Sequence, residues 1–125
     1  MILGIGVDIV EIDKLRLAMI RRGERLRDRA FTPAEIEYCE GRANKFQHYS
    51  ARFAAKEAAF KAISSGWRDG VSWQDAEVSN HISGKPVLLL RGRALELANL
   101  MNARKYWISL SHTDQYAVAQ VILED

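Results

Sequence analysis

The sequence predicts an α+β fold in which an antiparallel sheet packs on one long central helix, all within a single domain over residues 1–125. Three observations carry that expectation. A helix-forming stretch, SARFAAKEAAFKAISSG from Ser50 to Gly66, occupies the middle of the chain. An apolar strand with alternate glycines opens the chain, and strand-patterned runs separated by turn residues fill most of the half beyond the helix.

Composition sets the outer limits. At 125 residues the chain is long enough for one true core and short enough for assembly to add to its stability. A hydrophobic content of 48% with 27% charged residues describes an ordinary soluble chain. No apolar run reaches the length of a membrane span, and the opening MILGIGVDIVEI has no basic leader, so a cytoplasmic protein without a membrane partner is expected. Cys39 is the one cysteine, which excludes an internal disulfide and reads as a half-buried helix residue. A net charge of +2 is too small to argue for nucleic acid, and none is expected as a partner.

Residues Ile2 to Ile9 read as a buried strand. Gly4 and Gly6 leave one face of it without side chains, so that a backbone or a ligand can approach closely. Asp8 continues that face, either as a capping residue or as a carboxylate held beside the bare strip. The third glycine of a dinucleotide fingerprint is missing. From Asp13 to Arg29 the chain reads as helical and basic. Lys14, Arg21, Arg22 and Arg25 share one face at i, i+7, i+8 and i+11, either solvated or docking an acidic partner. No aromatic residue interleaves them, as a stacking platform for single strands would require.

Thr32-Pro33-Ala34-Glu35 carries the signature of a capping box and starts a short helix to Glu40 that buries Ile36 and Cys39. Gly41 to Tyr49 reads as a polar connection. In the central helix Ser50 is expected to cap the start and Gly66 to end it. Glu57 projects with Ser50, Phe53, Lys61 and Ser64, opposite a smooth side of Ala51, Ala55, Ala58, Ala59 and Ala62 that can press against a neighbour. Glu57 and Lys61, one turn apart, are a solvated helix pair or part of a site. Ala76 to His81 and Pro86 to Arg91 form a hairpin around Ile82-Ser83-Gly84-Lys85, and Gly92 to Met101 is an amphipathic helix. Strands Tyr106 to Ser111 and Ala117 to Leu123 complete the chain. Both faces of the last strand, and of Pro86-Val87-Leu88-Leu89-Leu90, are apolar and want cover. A second copy of the chain supplies it economically; the alternative is that the chain's own helices wrap both faces.

The chemistry gathers on two carboxylates. Asp8 on its strand and Glu57 on its helix could share a hard divalent cation, since Mg²⁺ commonly takes only one or two protein carboxylates and leaves room for substrate phosphates. Lys61 would then supply a point charge for a phosphate. No zinc spacing of His and Cys is present.

Gly4-Ile5-Gly6-Val7-Asp8-Ile9-Val10-Glu11-Ile12, Arg52-Phe53-Ala54-Ala55-Lys56-Glu57-Ala58 with Lys61-Ala62, Gly84-Lys85-Pro86 and Ser109-Leu110-Ser111-His112-Thr113 occur in this order over nearly the whole chain. Together they resemble the holo-acyl-carrier-protein synthases, the short class of phosphopantetheinyl transferases. That resemblance implies the 4'-phosphopantetheinyl transferase fold and a trimer. It also implies transfer of phosphopantetheine from coenzyme A to a serine of acyl carrier protein, serving fatty acid biosynthesis. By the same resemblance Asp8 and Glu57 bind Mg²⁺, and Lys61 lies by the transferring phosphate. Lys45, Arg52, Ser64, Lys85, Pro86 and His112 would contact coenzyme A, and the arginine-rich first helix would dock the carrier. The transfer needs a base for the serine proton, and the sequence leaves Asp8 and a metal-bound water both open for it. The chain departs from the family at Ser64-Ser65-Gly66, where Gly-Thr-Gly is usual, and Val10 stands where longer relatives have a third acidic ligand. A competing reading from the charge pattern alone is a non-catalytic basic module that binds an acidic protein through residues 14 to 29.

Overall fold

A computed structural model of the chain describes residues 1–63 and 70–125. The elements run β1 (Ile2–Glu11), α1 (Ile12–Arg22), α2 (Glu24–Ala30), α3 (Pro33–Glu40), α4 (Lys45–Ile63), β2 (Ala76–Asn80), β3 (Pro86–Leu90), α5 (Gly92–Leu100), β4 (Lys105–His112) and β5 (Tyr116–Glu124). The α+β class holds. The antiparallel pairing divides into a three-stranded sheet of order β1-β5-β4 and a separate hairpin β2-β3.

The site is positioned by how β1 meets α4. In β1, Gly6 is buried and Gly4 half-buried, and both turn their missing side chains toward α4. A methyl added at Gly4 would stand 2.1 Å from the carbonyl oxygen of Ala62, and one at Gly6 would stand 1.9 Å from that of Ala58. The bare strip of the strand therefore receives a helix backbone and not a ligand. Ala54, Ala55, Ala58, Ala59 and Ala62 are buried on α4, so neither partner holds the other away. From the sheet, Ala119, Val121 and Leu123 of β5 join this core, and Val78, Leu88 and Leu90 of the hairpin complete it with Ala94 and Ala98 of α5.

Two helical boundaries depart furthest from the sequence expectation. Helix α4 begins at Lys45, so Ser50 is a fully buried interior residue and not its cap, and most of Gly41 to Tyr49 is helical. Aromatic packing recruits those residues: Phe31 lies 4.8 Å from Tyr49 between ring centroids, and Phe46 lies 6.4 Å from Tyr49. The basic segment expected as one helix is two. Gly23 adopts φ 61° between α1 and α2, a conformation that costs glycine little and breaks the helix there. The expected end of α4 at Gly66 lies outside the described residues.

The capping box of α3 is present, and its glutamate does more than cap. Glu35 is fully buried; it accepts from the Thr32 and Val78 backbone N–H groups and pairs with the fully buried Lys56 at 2.6 Å. Lys56 also donates to the carbonyls of Trp73 and Ala76. A buried ion pair is tolerable only when its remaining hydrogen bonds are met, and here they are. The pair ties α3, α4 and β2 together one residue before Glu57.

Candidate active site

Three of the residues singled out in the sequence come together where β1 leaves the helix. Asp8 follows Gly6 on the α4-facing side of β1, beyond the last close contact with Ala58. There the helix presents Glu57 and Lys61. Lys61 Nζ donates to Asp8 Oδ1 at 2.8 Å and to the Val7 carbonyl at 3.1 Å. Glu57 is half-buried, and its carboxyl is held above the usual range, first by burial and then by the charge of Asp8, against which Lys61 acts. A groove runs over the pair, with Glu11, Lys14 and Phe53 among its lining. Lys14 there is paired to Glu11 at 3.4 Å.

The donor set suits a hard cation. Two carboxylates sit close enough for Asp8 to disfavour ionisation of Glu57, a repulsion that a divalent cation between them would relieve. Among the described residues no group of three His, Cys, Asp or Glu side chains is placed to hold a metal.

The other expected contacts are spread over the chain. Lys45 pairs with Glu40 at 3.3 Å and stands over Phe46, in a hollow with Met19 and Arg27. Arg52, only 3% exposed, donates to Asn80 at 2.7 Å and stacks on Tyr38, whose ring Arg42 also covers. Lys85 and Pro86 lie at the turn into β3, with Lys85 Nζ 5.9 Å from the Trp107 ring. His112 ends β4 and is near enough to His48 to depress its basicity, a depression caused mainly by burial of the His48 ring. Ser64 lies outside the described residues. Cys39 is fully buried, which pushes its thiol up to about 12 and rules it out as a nucleophile at neutral pH.

The basic face is also rearranged. Arg21, Arg22 and Arg25 do line one hollow, with Leu26, but their companion is Arg29 and not Lys14. The turn at Gly23 carries Arg29 there, and a glycine inside a helical pattern was the signal available in the sequence. None of the four arginines is paired with a carboxylate among the described residues. Glu11, not expected in the groove, falls beside it because β1 extends to that residue.

The sequence profile of the 4'-phosphopantetheinyl transferase superfamily matches residues 4–121. The chain belongs to that superfamily. It is 50% identical over 125 residues to the holo-[acyl-carrier-protein] synthase of Koribacter versatilis, covering 100% of both chains. Its fold is similar to the crystal structure of the Neisseria meningitidis holo-[acyl-carrier-protein] synthase, with a TM-score of 0.91, 27% identity and 100% of each chain covered. It is likewise similar to the Helicobacter pylori holo-[acyl-carrier-protein] synthase in complex with coenzyme A, at a TM-score of 0.84 and 28% identity over 96% of this chain and 99% of that one. The chain is therefore an enzyme, a transferase of the holo-[acyl-carrier-protein] synthase kind, which sets aside the non-catalytic basic module. Among the described residues no helix is long and apolar enough to cross a membrane.

Proposed function

We propose that the chain transfers 4'-phosphopantetheine from coenzyme A to a serine hydroxyl of an acidic acyl carrier protein, with Mg²⁺ held by Asp8 and Glu57. The observation that carries this reading is the meeting of Asp8 and Glu57 in one groove with Lys61 bound to Asp8, in a chain half identical to named synthases. When bound, Mg²⁺ offsets the charge that develops on the leaving phosphate. Asp8 and Glu57 supply the two carboxylates, and Lys61 brings a compact positive charge to the transferring phosphate. The serine oxygen forms its bond to phosphorus as the anhydride bond breaks and adenosine 3',5'-bisphosphate departs. The hydroxyl proton passes to a base, and Asp8 is a half-buried carboxylate in the groove that can accept it.

The carrier docks on the first helices. The arginines Arg21, Arg22, Arg25 and Arg29 form an unpaired positive hollow that suits an acidic partner, and Lys14 extends the positive surface toward the groove. Among the described residues assigned to coenzyme A, Lys45 sits in a hollow with Met19 and Arg27 and Lys85 lies by Trp107, whereas Arg52 and His112 both act on His48. A set gathered only in part supports a site completed by a neighbouring copy. A homo-oligomer is also supported by the open apolar face of the sheet, where Ile5, Val7 and Ile9 are 56–61% exposed. Three copies follow from the family resemblance, since the face itself would suit two. Production of holo carrier protein for fatty acid synthesis in the cytoplasm goes with this reading.

Mass spectrometry tests it. Apo carrier protein incubated with the enzyme, coenzyme A and Mg²⁺ should gain the mass of one phosphopantetheine on serine, and chelation of the metal should stop the gain. An unmodified carrier, or modification that persists without divalent cation, would refute the reading.

A further inference from the structure

In the chain alone Asp8 already has a cation. Lys61 Nζ lies 2.8 Å from Asp8 Oδ1 and 3.1 Å from the Val7 carbonyl, so the ammonium is seated on β1 by two acceptors. It comes from α4, one turn beyond Glu57, and its side chain is 55% exposed while that of Asp8 is 19% exposed. A Mg²⁺ ion bound to Asp8 would sit about 2.0–2.1 Å from a carboxylate oxygen and demand near-octahedral room around itself. An ammonium 2.8 Å from the same carboxylate would share that space and repel the ion across a few ångströms.

We propose that Lys61 is the resident counter-ion of Asp8 in the metal-free enzyme and must release Asp8 when a divalent cation loads. This rests on the reading of Asp8 and Glu57 as metal ligands. Metal loading and the freeing of the Lys61 ammonium are then one event, which leaves that ammonium available to a phosphate only once the cation is in place. The exposed lysine stem makes the release cheap, because the side chain needs no core rearrangement to swing outward. The device also keeps Asp8 satisfied when no cation is present, beside a Glu57 whose ionisation Asp8 opposes.

The test is a titration of Mn²⁺ alone, without coenzyme A, followed by electron paramagnetic resonance for the wild type and for Lys61→Met. Loss of a competing, partly exposed ion pair should tighten Mn²⁺ binding about three- to tenfold. Lys14→Met controls for simple removal of a nearby positive charge, since Lys14 lines the same groove but pairs with Glu11. Its Mn²⁺ affinity should change less than about twofold. In the wild type, the side-chain ammonium resonance of Lys61 should shift and broaden on adding diamagnetic Mg²⁺. Lys61→Gln serves if the Met variant fails to fold. Equal Mn²⁺ affinity in wild type and Lys61 variants, or an equal gain in Lys14→Met, overturns the proposal while leaving the metal site standing. No Mn²⁺ binding by any of them overturns the metal reading and the proposal together.

Discussion

Glu57 is a residue placed against its own stability. A carboxyl on an otherwise alanine-lined, buried helix would prefer water. Burial and the neighbouring Asp8 together hold its proton more tightly in the folded chain than in the unfolded one. For an acid shifted in that direction the folded state binds more protons. The resulting penalty is full above the folded-state titration and is relieved as the pH falls toward the ordinary glutamate value of 4.5. Glu57→Gln, which keeps the volume and carries no charge, should therefore raise the melting temperature of the chelator-treated protein by a few degrees at pH 8. The gain should shrink as the pH is lowered toward 5. With Glu57 as the proposed metal ligand, Mg²⁺ should raise the melting temperature of wild type and not of the variant, and the variant should lose about a hundredfold in transfer rate. Thermal melts at both pH values, with and without Mg²⁺, decide it; a variant that melts lower than wild type in chelator at pH 8 would show that Glu57 serves the fold. At this scale the sequence is informative because carboxylates are rare on such a helix. It is less so for Arg52 and Lys56, whose burial depends on partners, Asn80 and Glu35, that lie 28 and 21 positions away along the chain.

Elements place these residues, and the contact of β1 with α4 is the most demanding in the molecule. Alternate glycines in an apolar strand announce a close neighbour, and an alanine side on a central helix announces another; only the structure shows that each is the other's partner. Neither Gly4 nor Gly6 has a positive φ, so their requirement is for space and not for backbone freedom. Gly6→Ala would drive its methyl to 1.9 Å from the Ala58 carbonyl, against a helix backbone that cannot rotate aside. A cost of about 3 kcal/mol or more is expected, at the upper end of overpacking. Gly41→Ala, where the added methyl meets its nearest atom at 3.5 Å and φ is −80°, should be close to neutral. Urea unfolding of the two variants separates them, and similar midpoints would mean that β1 can lift off α4 freely. The sequence conceals helix ends at this scale: α4 starts five residues before Ser50 because aromatic packing outweighs the polar character of that stretch. Gly23, embedded among arginines, reads as helix interior although glycine is the residue most able to stop one.

For the whole molecule, the two faces of the three-stranded sheet are unequal. Ala117, Ala119, Val121 and Leu123 of β5 are fully buried on the helix side. On the other side Ile5, Val7 and Ile9 of β1 stand opposite Ile122, Gln120 and Val118 of β5, and Trp107 on β4 lies beyond Ile122, half exposed. The expectation that both faces want cover is thus met on one face only by the chain's own helix. A contiguous β-branched surface of this kind, with one glutamine at its centre, is what a symmetric contact between copies would bury. Val7→Lys separates assembly from folding. The Val7 side chain is 56% exposed in the single chain, and its carbonyl bond from Lys61 is a backbone contact that the substitution spares. The lysine should therefore leave circular dichroism unchanged while placing like charges against one another across any symmetric interface. Light scattering on a sizing column should find wild type at a multiple of 14.2 kDa and the variant at 14.2 kDa. If sites are completed between copies, transfer by the variant should fall at least about tenfold at micromolar enzyme and recover partly at high protein concentration. A wild-type protein that runs at 14.2 kDa with full activity would show that one chain suffices and that the exposed face serves some other contact.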